Sequence, residues 1–159
     1  MDFKIRAAKK EDISGILQLI NELAIFENEP DAVEVTASDL ERDGFGDAPL
    51  FICFVAEVAA GIKGIALVYN RYSTWKGPII HLEDLIVNEA YRGTGIGSAL
   101  LDEVVKYGHS RGAKRINWEV LDWNESAISF YESKGARVLR DWDVVHLDEQ
   151  AIRAYVDKL

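Results

Sequence analysis

Cysteine, methionine and proline are scarce: one, one and three in 159 residues. A single thiol, Cys53, excludes an internal disulfide framework and a cysteine-based zinc cluster. Positive charge is also short. The 18 Lys and Arg stand against 27 Asp and Glu, a net charge of −9. That balance excludes general nucleic-acid binding and favours cationic partners. No apolar run reaches the roughly 20 residues a membrane helix needs, so no membrane partner is expected. Met1-Asp-Phe-Lys4 does not open like a secretory leader, and the expected compartment is the cytoplasm. His109 and His146 show no ligand spacing, so no metal is expected. What remains is 48% apolar and 28% charged, which fits one globular domain over residues 1–159 without repeat or linker.

The most informative stretch is Val87-Asn-Glu-Ala-Tyr-Arg-Gly-Thr-Gly-Ile-Gly-Ser98. An apolar strand, Ile79 to Val87, leads into it, and an amphipathic helix, Thr94 to Tyr107, leads out. Glycine permits positive φ and close backbone approach. A helix start presents unpartnered N–H groups and the positive dipole end. Together they make an anion site suited to a pyrophosphate. The P-loop pattern fails because Ser98 and Ala99 follow Gly97 where Lys and Ser/Thr are required. The dinucleotide fingerprint fails because Ser98 replaces its third glycine. Tyr91-Arg-Gly-Thr-Gly-Ile-Gly-Ser98 resembles instead the acyl-CoA pyrophosphate loop of the GNAT acetyltransferases. A plain strand-to-helix turn would need only one glycine.

Periodicity places the other elements. Phe3 to Arg6 reads as a short strand. Glu11-Asp12 opens a helix whose face is Ile13, Ile16, Leu17, Ile20, Leu23 and Ala24, ended by Pro30. Thr36 caps a second short helix, stopped by Gly44 and Gly46. Phe51–Val58 and Ile62–Tyr69 form a hairpin about Gly61, and Tyr72–Pro78 is a loop carrying Trp75. Ile116–Val120 is a strand, Asn124 begins a helix ending near Gly135, and Val138–Leu147 supplies one or two strands. Asp148–Leu159 is the last helix. The mixed order predicts an α/β sheet covered on both faces.

Ile79–Val87 is apolar on both parities, as a central strand is. Alternation puts His81 and Glu83 on one face and Asp84 on the other. Burying such groups unpaired costs several kcal/mol (roughly 2–7). Residue chemistry leaves Glu83 open as a structural acid or a catalytic one. Asn124 is a strong helix cap on its own terms. Tyr131, on one helix face with Ala127 and Ile128, more often packs than reacts.

Taken together, Leu82-Glu-Asp84, Arg92 to Ser98, Trp123-Asn-Glu125, Phe130-Tyr131 and Lys134-Gly135-Ala136 resemble the GNAT superfamily. Within it they are similar to the spermidine/spermine and thialysine N-acetyltransferases. Glu22-Leu-Ala24 with Phe26-Glu27, Asp43-Gly-Phe-Gly46, Val55-Ala-Glu57 and Tyr72 to Gly77 extend the resemblance, which fades after Leu139.

The resemblance implies the GNAT fold, with a mixed sheet of about six or seven strands. It implies acetyl-CoA as cosubstrate, a small amine as acceptor, and a homodimer. Glu83 would be the general base and Tyr131 the general acid. Arg92, Gly93, Thr94, Gly95, Ile96, Gly97 and Ser98 would hold the pyrophosphate. Leu85, Ile86 and Val87, Asn124, Ser126, Ala127 and Tyr131 would contact the rest of the cosubstrate, with an oxyanion donor from a strand bulge near Leu85–Val87. Phe26, Glu27, Trp75, Glu83 and Asp84 would line the amine site. Transfer would be direct, leaving Cys53 in the core. Ser73-Thr74 matches the thialysine type where polyamine types resemble Asp-Pro, so a lysine-like amine is expected, with those hydroxyls on its carboxylate. His81 stands where relatives usually have Tyr. A peptide acetyltransferase and a non-catalytic acyl-CoA-binding module are the other classes; the module would need neither Glu83 nor Tyr131.

Overall fold

The computed structural model describes residues 2–159. The chain divides into a larger unit ending at Glu119 and a smaller one, Val120–Leu159. The larger unit runs β1 (Lys4–Ala7), a 3₁₀ turn (Lys10–Asp12), α1 (Ile13–Phe26), α2 (Ala37–Phe45), β2 (Ile52–Val58), β3 (Gly61–Ser73), β4 (Gly77–Val87), a second 3₁₀ turn (Glu89–Tyr91), α3 (Ile96–Ser110) and β5 (Ile116–Asn117). The strands lie in chain order in one sheet. Neighbours are antiparallel except β4 and β5, which are parallel and therefore need the α3 crossover between them.

Each face of the sheet has its own helix. Ile13, Ile16 and Leu19 of α1, with Leu40 of α2, pack on Cys53, Val55, Ile65, Leu67 and Ile86. These strand residues share a face because Val55 pairs with Ile65 and Ile65 with Ile86. Burial pushes the Cys53 thiol up to about 12, so it is an inert core group. On the other face α3 buries Ile96, Leu100, Leu101 and Val104. It lies close enough that a Cβ at Gly64 would sit 2.8 Å from Ile96 Cγ2, and one at Gly108 2.7 Å from Ile116 Cδ1. Arg6 ties β1 to the start of α1 through two bonds to Asp12, 2.6 and 2.9 Å.

Two features of β4 depart from the sequence reading. Leu67 pairs with Asp84 but Val68 pairs with Leu82, so Glu83 has no partner on β3 and forms a bulge. The bulge is at Glu83, not near Leu85–Val87. It also breaks the alternation: Glu83 no longer opposes Asp84, whose carboxyl feels the charges of both Glu83 and Glu27. The expected loop Tyr72–Pro78 shrinks to a turn at Thr74–Lys76, because Ser73 Oγ accepts from the backbone N–H groups of Trp75 and Lys76 and closes the hairpin.

The smaller unit holds α4 (Glu125–Ser133) and α5 (Glu149–Val156). Asn124 caps α4 through Ala127 N, and Asp148 caps α5 through Ala151 N. The described residues contain five strands rather than six or seven. Ile116–Val120 contributes only its first two residues, and Val138–Leu147 forms none. Strands are stable only with ladder partners, and this unit has no other strand to offer one. Val144, Val145 and Leu147 are left exposed. No helix among the described residues is long and apolar enough to cross a membrane.

Candidate active site

The end of α1 and the β4 bulge gather three acids. Glu27 follows the last turn of α1, and desolvation raises its carboxyl above the usual range. Asp84 is pushed up to about 6, first by burial and then by the charges of Glu83 and Glu27. Among the described residues, none of the three pairs with Lys or Arg. The negative end of the α1 dipole points to the same place. Such a cluster lacks a cation, and its self-repulsion falls when one arrives.

Around Glu83 the contacts are specific. Tyr69 Oη donates to Glu83 Oε2 at 3.1 Å, and His81 Nε2 lies 3.4 Å from the same oxygen. Asn117 Nδ2 meets His81 Nδ1 at 2.7 Å. Neither Tyr69 nor Asn117 was singled out from sequence. Counting back from the Ser73–Gly77 turn would have placed Tyr69 opposite His81.

β4 is also where the sheet opens. Its parallel pairing to β5 is confined to Ile80–Ile116 and His81–Asn117. From Leu82 to Val87, backbone groups pointing away from β3 have no strand to meet. The Ile86 backbone turns toward β3, so Leu85 and Val87 present the polar backbone that a bound amide or thioester can use.

The glycine loop lies just past this open edge. Gly93 and Gly95 take φ of 74° and 91°, in the left-handed region that only glycine adopts cheaply. Gly95 is the cap of α3 and provides no side-chain hydrogen bond, so the helix start keeps bare N–H donors. Arg92 Nε donates to Val87 O at 3.2 Å, and its guanidinium stacks 5.0 Å from the Phe26 ring centroid. Thr94 Oγ1 donates to Tyr91 O at 2.6 Å and braces the turn. Nothing lies within 4 Å of where a Cβ would stand at Gly93 or Gly95. Open space, bare donors and an adjacent guanidinium fit a pyrophosphate.

Gly97 separates ligand from fold. Its φ is not positive, and an added Cβ would meet Val87 Cγ2 at an ordinary 3.6 Å. Gly97→Ala is therefore expected to fold with unchanged or slightly raised melting temperature, since Ala in a helix gains about 0.5–1 kcal/mol over Gly. Its affinity for a pyrophosphate ligand should fall about tenfold as the methyl blocks approach. Calorimetric titration beside a thermal melt checks both; unchanged affinity would remove Gly97 from the site.

In the smaller unit, Tyr131 is buried on α4, its ring 5.4 Å from that of Phe130. Asn124 spends Oδ1 on the cap and keeps its amide N–H groups. Ser126 is exposed and Ala127 partly buried in the first turn. Trp75 does not join the acids. It is 79% exposed at the β3–β4 hairpin tip, six residues of β4 before the bulge, which is roughly 20 Å of strand. Ser73 is buried in the same turn, with its oxygen already accepting twice. An open groove of about 720 Å³ between α1 and α2 contains none of the site residues. Among the described residues no group of three or more His, Cys, Asp or Glu could hold a metal ion.

Residues 15–136 match the acetyltransferase (GNAT) family. The chain is 38% identical to the thialysine N-epsilon-acetyltransferase of Bos taurus, over 97% of each chain. It is 41% identical to the spermidine/spermine N(1)-acetyltransferase-like protein 1 of Homo sapiens, over 91% of this chain and 22% of that longer protein. An integron cassette protein from the mobile metagenome of V. cholerae shares the fold with a TM-score of 0.79 at 20% identity, over 98% of both chains. The chain belongs to the GNAT acetyltransferase family and is an N-acetyltransferase with that family's α/β fold.

Proposed function

We propose that this chain moves the acetyl group of acetyl-CoA directly to the primary amine of a small cation, a thialysine-like lysine analogue or a short diamine. The observation that carries this reading is the trio Glu27, Glu83 and Asp84, paired with no Lys or Arg among the described residues and set at the bulge where the sheet opens beside the glycine loop. Acetyl-CoA supplies the thioester. Arg92 to Ser98 hold its pyrophosphate, and Asn124, Ser126 and Ala127 contact its pantetheine arm. Glu27 and Asp84, with the Phe26 ring, attract and seat the ammonium group. Glu83 takes the ammonium proton, directly or through water, so that the nitrogen lone pair can attack the thioester carbon. Backbone N–H groups of Leu85 and Val87 meet the negative charge that grows on the carbonyl oxygen. Tyr131 gives its proton to the sulfur as the C–S bond breaks. Residues 1–159 act as one catalytic domain within a homodimer, whose contact would cover Val144, Val145 and Leu147. Trp75 and Ser73 take no part in the amine pocket of their own chain.

Acceptor choice follows from spacing. Asp84 lies within electrostatic reach of both Glu27 and Glu83, so the acids gather about one residue rather than along a groove. They suit one ammonium, or two close together. CoA release with acetyl-CoA across lysine analogues, diamines, polyamines and peptides tests this. The expected order in kcat/KM is thialysine or short diamine above spermidine, spermine and peptides, by about tenfold, the worth of one charged contact. Turnover confined to peptides, or a tenfold preference for spermine, would overturn it.

A further inference from the structure

His81 is buried, 6% exposed, on β4, and every polar contact its side chain makes runs toward Glu83 or fixes its own ring. The ring is held on two sides. Its centroid lies 5.0 Å from that of Tyr69, tilted by 41°. Its Nδ1 lies 2.7 Å from the Asn117 amide nitrogen, across the short β4–β5 pairing. With the Asn117 amide turned this way, its buried Oδ1 has no partner, its nitrogen donates, Nδ1 accepts and the ring proton sits on Nε2. The far side of the ring demands the same. Nε2 faces a Glu83 oxygen, and an ionised carboxylate can only accept. The opposite tautomer would set two lone pairs against each other.

Charge on the ring is opposed by its surroundings. Desolvation lowers the His81 pKa most, with Arg71 of β3 acting in the same direction. Glu83 on its own strand and Glu119 beyond β5 pull the other way. Tyr69 of β3 and Asn117 of β5 complete the set of groups facing it. Tyr69 is itself kept above its ordinary range by burial and the Glu83 charge, so it stays a donor.

Tyr69 Oη thus donates to Glu83 Oε2, and His81 Nε2 stands 3.4 Å from the same oxygen, within electrostatic reach. Among the described residues Oε1 receives no such bond. We propose that His81, locked by Asn117, is a positioning residue: it pins one oxygen of the Glu83 carboxylate and leaves the other turned out to take the substrate's proton. This rests on the reading of Glu83 as general base. It assigns His81, Asn117 and Tyr69 a shared task that follows from their contacts alone.

Side-chain isosteres provide the test. Glutamine places its amide nitrogen near where histidine has Nε2, whereas asparagine's amide ends near Nδ1, where its oxygen can accept from Asn117. His81→Asn therefore keeps the contact to Asn117 and loses the one to Glu83. Its kcat near neutral pH is expected to fall about tenfold or more, because small misplacement of a reacting group is costly. Acetyl-CoA affinity should hold, and the deficit should shrink at high pH, where the free amine needs no base. His81→Gln should recover most of the loss. In a cycle with Glu83→Gln, the double variant His81→Asn/Glu83→Gln should be no slower than Glu83→Gln alone. Long-range ¹H–¹⁵N spectra of the wild type, with the His81 signal identified by its loss in His81→Gln, should show the Nε2–H form.

The failures separate. If Glu83→Gln is slow but His81→Asn turns over like wild type, or slows the reaction equally without Glu83, the positioning role falls and the base reading stands. Wild-type turnover by Glu83→Gln removes the base reading and this proposal with it. Should His81→Asn fail to fold, the spectrum still decides: an Nδ1–H ring overturns the assignment.

Discussion

Tyr131→Phe is expected to lower kcat about a hundredfold or more, the usual worth of a positioned general acid. The substitution keeps the ring that lies against Phe130 on α4 and removes only the hydroxyl. The phenol of a tyrosine ionises near pH 10, so at neutral pH it still holds the proton a departing thiolate takes up. Acetyl-CoA affinity should stay near wild type, placing the loss in the chemical step rather than in binding. Steady-state rates, an acetyl-CoA titration and a thermal melt on the same preparation separate these effects. Wild-type turnover in the variant would return Tyr131 to a packing role.

Asp84→Asn is expected to stabilise the fold and weaken the enzyme. In the unfolded chain Asp84 loses its proton near 3.8; in the folded chain that value is pushed up to about 6. Between those values the folded state binds the proton and the unfolded state does not. Stability from this group is therefore complete below about pH 4, falls as pH rises through 6, and is lost at pH 7.5. The shift corresponds to roughly 2–3 kcal/mol, less what residual water contact screens. Asparagine keeps the shape without the charge and should raise Tm by about 5 °C at pH 7.5. At pH 4 the two proteins should melt together. The same change should raise KM for the amine about tenfold, since a charged contact is worth about 1.5–3 kcal/mol. Wild-type KM should likewise climb as pH drops through 6. A variant no more stable than wild type at pH 7.5 would mean that the Asp84 charge is not strained.

These effects depend on features that local sequence reveals unevenly. Gly93 and Gly95 could be read as left-handed positions because alternate glycines before a helix have little other use. Thr36 and Asp39 form the capping box their spacing implies. Both parities of Ile79–Val87 are apolar, which implies two covered faces and a central place, yet the strand is the fourth of five and only its first half has a neighbour on each side. The bulge could not be read this way. It is a mismatch in register between β3 and β4, and each strand reads as unbroken by itself. Strict alternation therefore misplaced Asp84 relative to Glu83. Trp75 and Ser73 are assigned to the amine site by the resemblance alone, which does not report that they stand at the far end of β4 from the bulge. Asn117 reaches His81 only through the β4–β5 pairing, which no spacing along the chain reports. Val138–Leu147 has the alternation of a strand but lacks a neighbour to complete it.

Cys53 has a consequence for measurement. It is the chain's one thiol, 4% exposed, within a strand paired on both sides. A thiol-reactive chromophore added to the folded enzyme therefore meets no competing nucleophile from the protein, and every equivalent of colour counts one CoA set free. Once substrate is exhausted, any slow further colour comes from Cys53 and requires β2 to leave the sheet. The second phase then clocks the opening of the core in the cuvette that measured turnover.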